Sequence, residues 1–245
     1  MLPLLVGLAI GSFVLALALR YPELDGFALG RSACPSCGSR IARRDLVPLV
    51  SWLALRGRCR GCNTTIGWHY PAAELAGATV AVWATTVFSG WFAWITCGLG
   101  WTLLALALID LRCYHLPDFL TLPLLLAGLA VTWLVTPETI GDHLAGAVCG
   151  YGGLAAIGWG YRALRGRDGL GLGDAKLLGA AGAWLSWQAL PQLILAAALL
   201  ALGGAVVMRS WRGTALSATT RIAFGPYLAA AFWLFWLYAP LDFPL

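Results

Sequence analysis

The chain alternates long apolar runs with short polar loops, and this pattern predicts most of its structure. Eight runs approach the roughly 20 residues that an α-helix needs to cross a bilayer. The sixth run is short, and Pro191 marks the turn into the seventh. We therefore predict an all-α polytopic membrane protein with about eight transmembrane helices. The predicted spans are 2–19, 71–88, 92–109, 119–135, 144–161, 175–187, 190–208 and 222–238.

Composition and charge support this prediction and give the chain an orientation. Hydrophobic residues make up 60% of the chain and charged residues only 11%, which excludes an ordinary soluble domain. All 16 lysines and arginines fall in or beside alternate loops, eight of them between the first two spans. Because cytoplasmic loops collect basic residues, both termini are predicted to face outward. The net charge of +5 then reflects topology and attraction to anionic lipid, and we predict no nucleic-acid partner.

The loop between the first two spans is the one sizeable polar piece, and it carries two C-x-x-C pairs. Four thiolates at this spacing are typical of a structural zinc site. Thiols on the cytoplasmic side stay reduced, which argues against two disulfides. We predict a first helix at 1–20, a cytoplasmic zinc-binding insert at 21–70 that folds with its metal, and a seven-helix domain at 71–245. The four predicted ligands are Cys34, Cys37, Cys59 and Cys62.

Two aspartates, Asp110 and Asp174, lie where long apolar runs meet polar loops. A carboxylate at the edge of a membrane is energetically expensive and indicates function. Both fall on the predicted cytoplasmic side, where the intervening helices can bring them together. Two carboxylates that share a proton can hydrolyse a peptide bond, one as general base and the other as acid. Gly171 and Gly173 let the backbone approach a substrate strand or a neighbouring helix just before Asp174.

Each aspartate also has a purely structural interpretation. Asp174 is a candidate N-cap for the sixth span, following a flexible glycine loop. Asp110 is a candidate helix-end residue paired with Arg112. Asp118 follows Pro117 directly before the fourth span and is a plausible cap for it, although its local sequence does not exclude catalysis.

Several motifs, in this order along the chain, resemble those of the bacterial type IV prepilin peptidases. These membrane aspartic endopeptidases serve type IV pili and type II secretion. The resemblance covers nearly the whole length. Besides the cysteine pairs, the motifs are Gly11-Ser12-Phe13 with Arg20, Pro48-Leu49-Val50-Ser51-Trp52, Arg56-Gly57-Arg58-Cys59, Tyr70-Pro71 with Glu74, Ile109-Asp110, Leu116-Pro117-Asp118, Gly171-Leu172-Gly173-Asp174 and Phe224-Gly225-Pro226-Tyr227.

The resemblance implies a bifunctional enzyme of the bacterial inner membrane. In that family the catalytic residues correspond to Asp110 and Asp174, and Asp118 is supporting. The implied substrates are type IV prepilins or pseudopilins, cleaved after a glycine that ends their basic leader. The exposed amine is then N-methylated from S-adenosylmethionine. The chain departs from the family at Leu15, where asparagine is usual, and it has no G-x-G-x-x-G unit that would place the cofactor.

Two other functions are compatible with parts of this pattern. A general Gly-x-Gly-Asp intramembrane protease would use the same aspartates but would not explain the zinc insert. A non-catalytic membrane zinc sensor or transporter would use Asp110, Asp118 and Asp174 to line an ion path. The chain has only three histidines, which are few for a transport path.

Overall fold

The computed structural model describes residues 1–23, 32–166, 171–212 and 223–238, and the elements in these ranges are helical. Each predicted apolar run corresponds to one helix, and a ninth, short helix (α2) lies within the insert. Short 3-10 turns occupy Arg43–Leu46 and Pro137–Thr139. The helices are α1 Leu2–Arg20, α2 Val50–Ala54, α3 His69–Val87, α4 Gly90–Cys113, α5 Asp118–Val135, α6 Ile140–Arg165, α7 Leu172–Leu185, α8 Leu190–Arg212 and α9 Gly225–Tyr238.

Within the described residues, four helices are long and apolar enough to cross a membrane, namely α1, α4, α5 and α8. The helix boundaries differ from the prediction most at α6, which is four residues longer at each end, and at α4 and α8, which each end four residues later than predicted. Helix α6 is longer than the predicted 144–161, and α7 ends two residues before the predicted limit. The predicted start of the last span at Ile222 lies outside the described residues.

The chain divides into two compact units, Met1–Ala105 and Leu106–Leu245. In the first unit, α1 and α3 pack so closely that small residues form their interface. A Cβ on Gly11 would lie 2.2 Å from Ala73 O, and one on Gly7 would lie 2.6 Å from Gly77 O. Since later residues of α1 meet earlier residues of α3, the two helices run antiparallel. Trp101 of α4 donates a hydrogen bond to Gly77 O at 2.9 Å in the same unit.

Helix α7 is the centre of the second unit, because almost all of its residues from Ala175 onward are buried. It packs against α5, α6 and α9. Trp184 Nε1 donates a hydrogen bond to Leu124 O of α5 at 2.8 Å, and its ring meets the edge of Trp236 in α9 at 4.9 Å. Helix α7 therefore holds its own first turn in a defined position among these helices.

The first turn of α6 contains a buried polar residue, which explains why the helix begins before the predicted residue 144. His143 Nδ1 lies 3.0 Å from Ala183 O of α7 and 3.2 Å from Thr132 Oγ1 of α5. These partners allow the polar side chain of His143 to be buried within the helix bundle. Hydropathy alone assigns this residue to a loop.

Candidate active site and metal centre

Asp110 lies in the last turn of α4, which continues to Cys113 rather than ending at the aspartate. Its side chain is buried, with 5% of the residue exposed. Oδ2 accepts a hydrogen bond from the backbone N–H of Gly225 at 3.0 Å. Gly225 is the first residue of α9, so this N–H has no partner within its own helix. The positive end of the α9 dipole also favours a carboxylate at this position.

Gly225 is the residue that makes this close approach feasible. A Cβ at this position would lie 2.7 Å from Asp110 Oδ2 and 3.0 Å from its Cγ. Real Cβ atoms essentially never approach a heavy atom within 3.0 Å. Gly225-Pro226 belongs to a sequence motif whose pattern alone indicates no role for the glycine. A proline directly after the first helical residue was the available signal, since it marks the start of a helix.

Asp174 lies in the first turn of α7, and the structure corrects its interpretation as a helix cap. The N-cap of α7 is Gly171, whose carbonyl accepts the Asp174 N–H at 3.1 Å. Asp174 is half-buried, whereas Asp110 is buried. Gly173 packs against Leu116, with its hypothetical Cβ only 3.0 Å from Leu116 Cβ, so the glycine pair lets α7 start close to the loop that follows α4.

The fold brings Asp110 and Asp174 close enough for their carboxylates to interact electrostatically. One lies at the end of α4 and the other at the start of α7, and the start of α9 holds the first in place. The structural alternative for Asp110, a pair with Arg112, is not what orients its Oδ2. Two nearby carboxylates in a partly dry site do not both ionise readily, because each negative charge disfavours the other.

Asp118 occupies a different position from that expected of a cap. The N-cap of α5 is Pro117, and Asp118 is the first helical residue. Its Oδ1 accepts a hydrogen bond from Lys176 Nζ and forms an ion pair with it. Lys176 follows Asp174 by two residues in α7, so this pair joins the start of α5 to the start of α7. In the sequence, Lys176 contributes only to the charge pattern that predicts topology.

The four insert cysteines come together as predicted, with all their Sγ atoms within 4.8 Å of one another. Each C-x-x-C pair lies in a turn of the same design. The N–H of Cys34 donates to Ser39 O at 2.9 Å, and that of Cys59 donates to Thr64 O at 2.8 Å. An isolated bridge closes each turn, between Ala33 and Arg40 and between Arg58 and Thr65. Two equivalent turns thus present two thiols each to a common centre.

Two of the four thiols have a pKa shifted toward the thiolate form that a metal binds, whereas the pKa of Cys34 is raised. Backbone N–H groups of Cys62 and Gly61 donate to Cys59 Sγ and lower the pKa of its thiol. The hydroxyl of Ser39, 2.9 Å away, lowers the pKa of Cys37 to about 6. Because zinc binds thiolates, both shifts favour the ligand form. Four sulfur ligands in such a cluster fit Zn²⁺ better than metals that prefer oxygen.

An ion pair outside the cysteine cluster orients the turn that contains the second C-x-x-C pair. Arg60, which lies between Cys59 and Cys62, donates two hydrogen bonds to Asp45 at 2.7 and 2.9 Å. This pairing lowers the pKa of Asp45. Such an exposed pair contributes little to stability by itself, but its two-point geometry orients the turn.

Comparison with known proteins covers most of the chain. Residues 5–88 match the bacterial peptidase A24 N-terminal domain, and residues 97–206 match the type IV leader peptidase family. No solved structure matches the chain significantly.

Three similar proteins carry the name prepilin leader peptidase/N-methyltransferase. The protein of Burkholderia pseudomallei (strain K96243) is 44% identical over 211 residues, which cover 85% of this chain and 67% of the relative. The protein of Aeromonas hydrophila is 44% identical over 208 residues, covering 83% and 70%. The protein of Pseudomonas aeruginosa is 37% identical over 255 residues, covering 94% and 87%.

Proposed function

Because the chain belongs to the type IV leader peptidase family, we propose that it is a membrane aspartic endopeptidase that removes the basic leader from type IV prepilins or pseudopilins. The observation that supports this proposal is that Asp110 and Asp174, although they lie on different helices, are near enough to interact electrostatically. Cleavage after glycine at the cytoplasmic face agrees with the distribution of basic residues, which favours a cytoplasmic position for both aspartates.

The two carboxylates are the proposed catalytic residues, and they act through a water molecule. The ionised carboxylate takes a proton from the water while the water oxygen attacks the scissile carbonyl carbon. The protonated carboxylic acid donates a hydrogen bond to the carbonyl oxygen and then supplies its proton. As the C–N bond breaks, the leaving amine takes the proton that the first carboxylate received from water. The second carboxylate regains a proton from a hydroxyl of the tetrahedral intermediate, and the new carboxyl group keeps the oxygen of the water. Both carboxyl groups thereby return to their starting protonation states.

Each neighbouring residue has a proposed part in holding this geometry. The Gly225 N–H fixes the Asp110 carboxylate, whereas the half-buried Asp174 faces the side from which a substrate can enter. Gly171 and Gly173 leave room beside Asp174. Asp118 is a positioning residue in this scheme, since its ion pair with Lys176 ties α5 to the first turn of α7.

We also propose that all eight long helices cross the bacterial inner membrane, with both termini outside. Four helices meet length and composition criteria on their own, and α3 runs beside one of them, α1. The proposed division is the first helix 1–20, the insert 21–70 and the seven-helix domain 71–245. The insert and the aspartates then face the cytoplasm, as the distribution of the 16 basic residues favours.

The second proposed activity is N-methylation of the new amino terminus, supported by the names of the relatives. S-adenosylmethionine would supply the methyl group. The chain has no glycine-rich dinucleotide unit, and no residue is assigned to this cofactor. We propose one structural zinc in the insert, held by Cys34, Cys37, Cys59 and Cys62.

The test is incubation of the purified chain with a prepilin in lipid, with and without S-adenosylmethionine. Mass spectrometry of the product would show cleavage after glycine and one added methyl group. Asp110→Asn and Asp174→Asn variants serve as controls for adventitious protease. Cleavage at many sites in unrelated membrane proteins would favour the general intramembrane protease. Intact prepilin across several substrates, together with metal-dependent ion flux, would favour the sensor or transporter.

A further inference from the structure

The insert exposes an apolar surface made of Leu46, Val47, Val50, Leu53 and Trp68, which we call the insert surface. These residues are 45% to 75% exposed. Val50 and Leu53 lie three positions apart in α2 and therefore share a helix face. Trp52, which lies between them, points inward, and its Nε1 donates a hydrogen bond to Ile66 O at 3.2 Å. The exposure of Val50 and Leu53 is thus a consequence of how α2 is docked.

A buried carboxylate fixes α2 against α3. Glu74 is 8% exposed, and its Oε2 accepts a hydrogen bond from the N–H of Leu49 at 2.7 Å. Leu49 precedes α2 and has a φ of 59°, which is rare for a residue with a side chain. A charged hydrogen bond to a buried partner offsets this unfavourable backbone conformation. Helix α2 is therefore held at a defined height along α3.

That height lies beside the membrane-crossing part of α1, and not beyond its end. Gly11 of α1 touches Glu74, since a Cβ on Gly11 would lie 2.8 Å from Glu74 Cα. Residues 12–20 follow Gly11 in α1 and rise about 13 Å before the helix ends at Arg20. A glutamate side chain is shorter than this rise, so Leu49 and the start of α2 lie on the membrane side of Arg20. The start of α2 therefore lies beside the second half of α1 and not beyond its end.

The charges around the insert surface complement an anionic bilayer. Within residues 32–68 the one carboxylate is Asp45, which is engaged by Arg60. The remaining arginines are exposed and lie before and after α2. Trp68, the N-cap of α3, is 75% exposed, and tryptophan is enriched at the membrane interface. The exposed arginines are Arg40, Arg43, Arg44, Arg56 and Arg58.

We propose that the insert surface lies in the headgroup layer of the bilayer and binds anionic lipid. Val50, Leu53 and Trp68 enter the layer as an interfacial anchor, and the flanking arginines contact the phosphates. The cysteine cluster is then held next to the membrane. This role is separate from peptide hydrolysis, since lipid binding by these residues involves no transfer of a proton to or from Asp110 or Asp174.

The experiment uses the full chain in nanodiscs of phosphatidylcholine with or without phosphatidylglycerol. A photo-reactive phenylalanine analogue is placed at Leu53 in one protein and at the exposed Ser36 of the first cysteine turn in a control. Equal zinc content of the two proteins checks that both inserts fold. After illumination, mass spectrometry measures lipid adducts. We expect adducts at Leu53 but few at Ser36, with phosphatidylglycerol preferred.

An Arg43→Gln/Arg44→Gln variant of the Leu53-labelled protein tests the role of charge. Each surface arginine contributes about fivefold to attraction by an anionic membrane, so the preference for phosphatidylglycerol should fall by at least that factor. Equal and low lipid adducts at Leu53 and Ser36 would overturn the proposal. So would adducts in native membranes that join Leu53 to a protein instead of lipid, since a protein would then cover the insert surface.

Discussion

Replacement of Gly225 by alanine should damage catalysis without removing either catalytic carboxylate. The new Cβ would lie 2.7 Å from Asp110 Oδ2, whereas ordinary van der Waals contact begins at 3.4 Å. The carboxylate or the start of α9 must therefore move by about 0.7 Å. The Gly225 N–H remains, but its 3.0 Å hydrogen bond to Oδ2 must lengthen or change direction.

The size of the effect follows from the precision that catalysis requires. A misplacement of about 1 Å at a reacting group lowers the rate by roughly 100-fold. For the smaller shift expected here, kcat/KM should fall by about 10- to 100-fold, equivalent to about 1.4 to 2.7 kcal/mol in transition-state free energy. Because substrate binding does not require this placement, the loss should appear in kcat more than in KM.

The assay is prepilin cleavage by purified variants in lipid, measured under single-turnover and steady-state conditions. Gly203→Ala is the matched control, because a Cβ at that position of α8 would meet nothing within 4 Å. It should retain the activity of the unmodified protein. Thermal unfolding of both variants separates local displacement from loss of fold. A Gly225→Ala variant with unchanged kcat/KM and unchanged zinc content would refute the claim that α9 positions Asp110.

Three further predictions concern the other parts of the two sites. Asp110→Asn and Asp174→Asn should each abolish cleavage, since an amide cannot serve as general base or exchange the shared proton; substantial activity in either purified variant would count against the pair. Asp118→Asn should reduce cleavage by less than about tenfold, because it weakens an exposed ion pair of at most about 1 kcal/mol; a complete loss would give Asp118 a catalytic role. Cys34→Ser should lower zinc content, measured by elemental analysis, and increase proteolysis of the insert, whereas Cys149→Ser, at an exposed position in α6, should do neither. Zinc-free protein with an intact insert would contradict the last of these predictions.

The helices were predictable because hydropathy acts locally along the chain. Every predicted apolar run corresponds to a helix in the described residues. Each C-x-x-C pair forms a short local turn, and the two turns lie together in the fold. Predictions were weaker where a polar residue finds partners only in the folded chain. His143 illustrates this limit, since its contacts with Thr132 and Ala183 bury a residue that the sequence placed before the predicted span.

The same limit applies to the candidate active site. Charge and hydropathy selected Asp110 and Asp174 as unusual, but they did not identify what holds Asp110. That partner, Gly225, is 115 positions away, and the lysine that engages Asp118 is 58 positions away. Local sequence also suggested that Asp174 and Asp118 cap their helices, whereas Gly171 and Pro117 occupy the cap positions.

The sequence by itself determined the helical class, the basic loops, the cysteine pairs and the two membrane-edge aspartates. Each of these depends on residue type and short-range spacing, because burial in lipid depends on local hydropathy and metal binding depends on the spacing of the ligands. Only the tertiary structure decided that the start of α9 orients Asp110, that Lys176 joins α7 to Asp118, and that Glu74 docks α2 beside α3. Such contacts depend on which helices pack together and at what height, because a hydrogen bond forms only when donor and acceptor meet within about 3 Å.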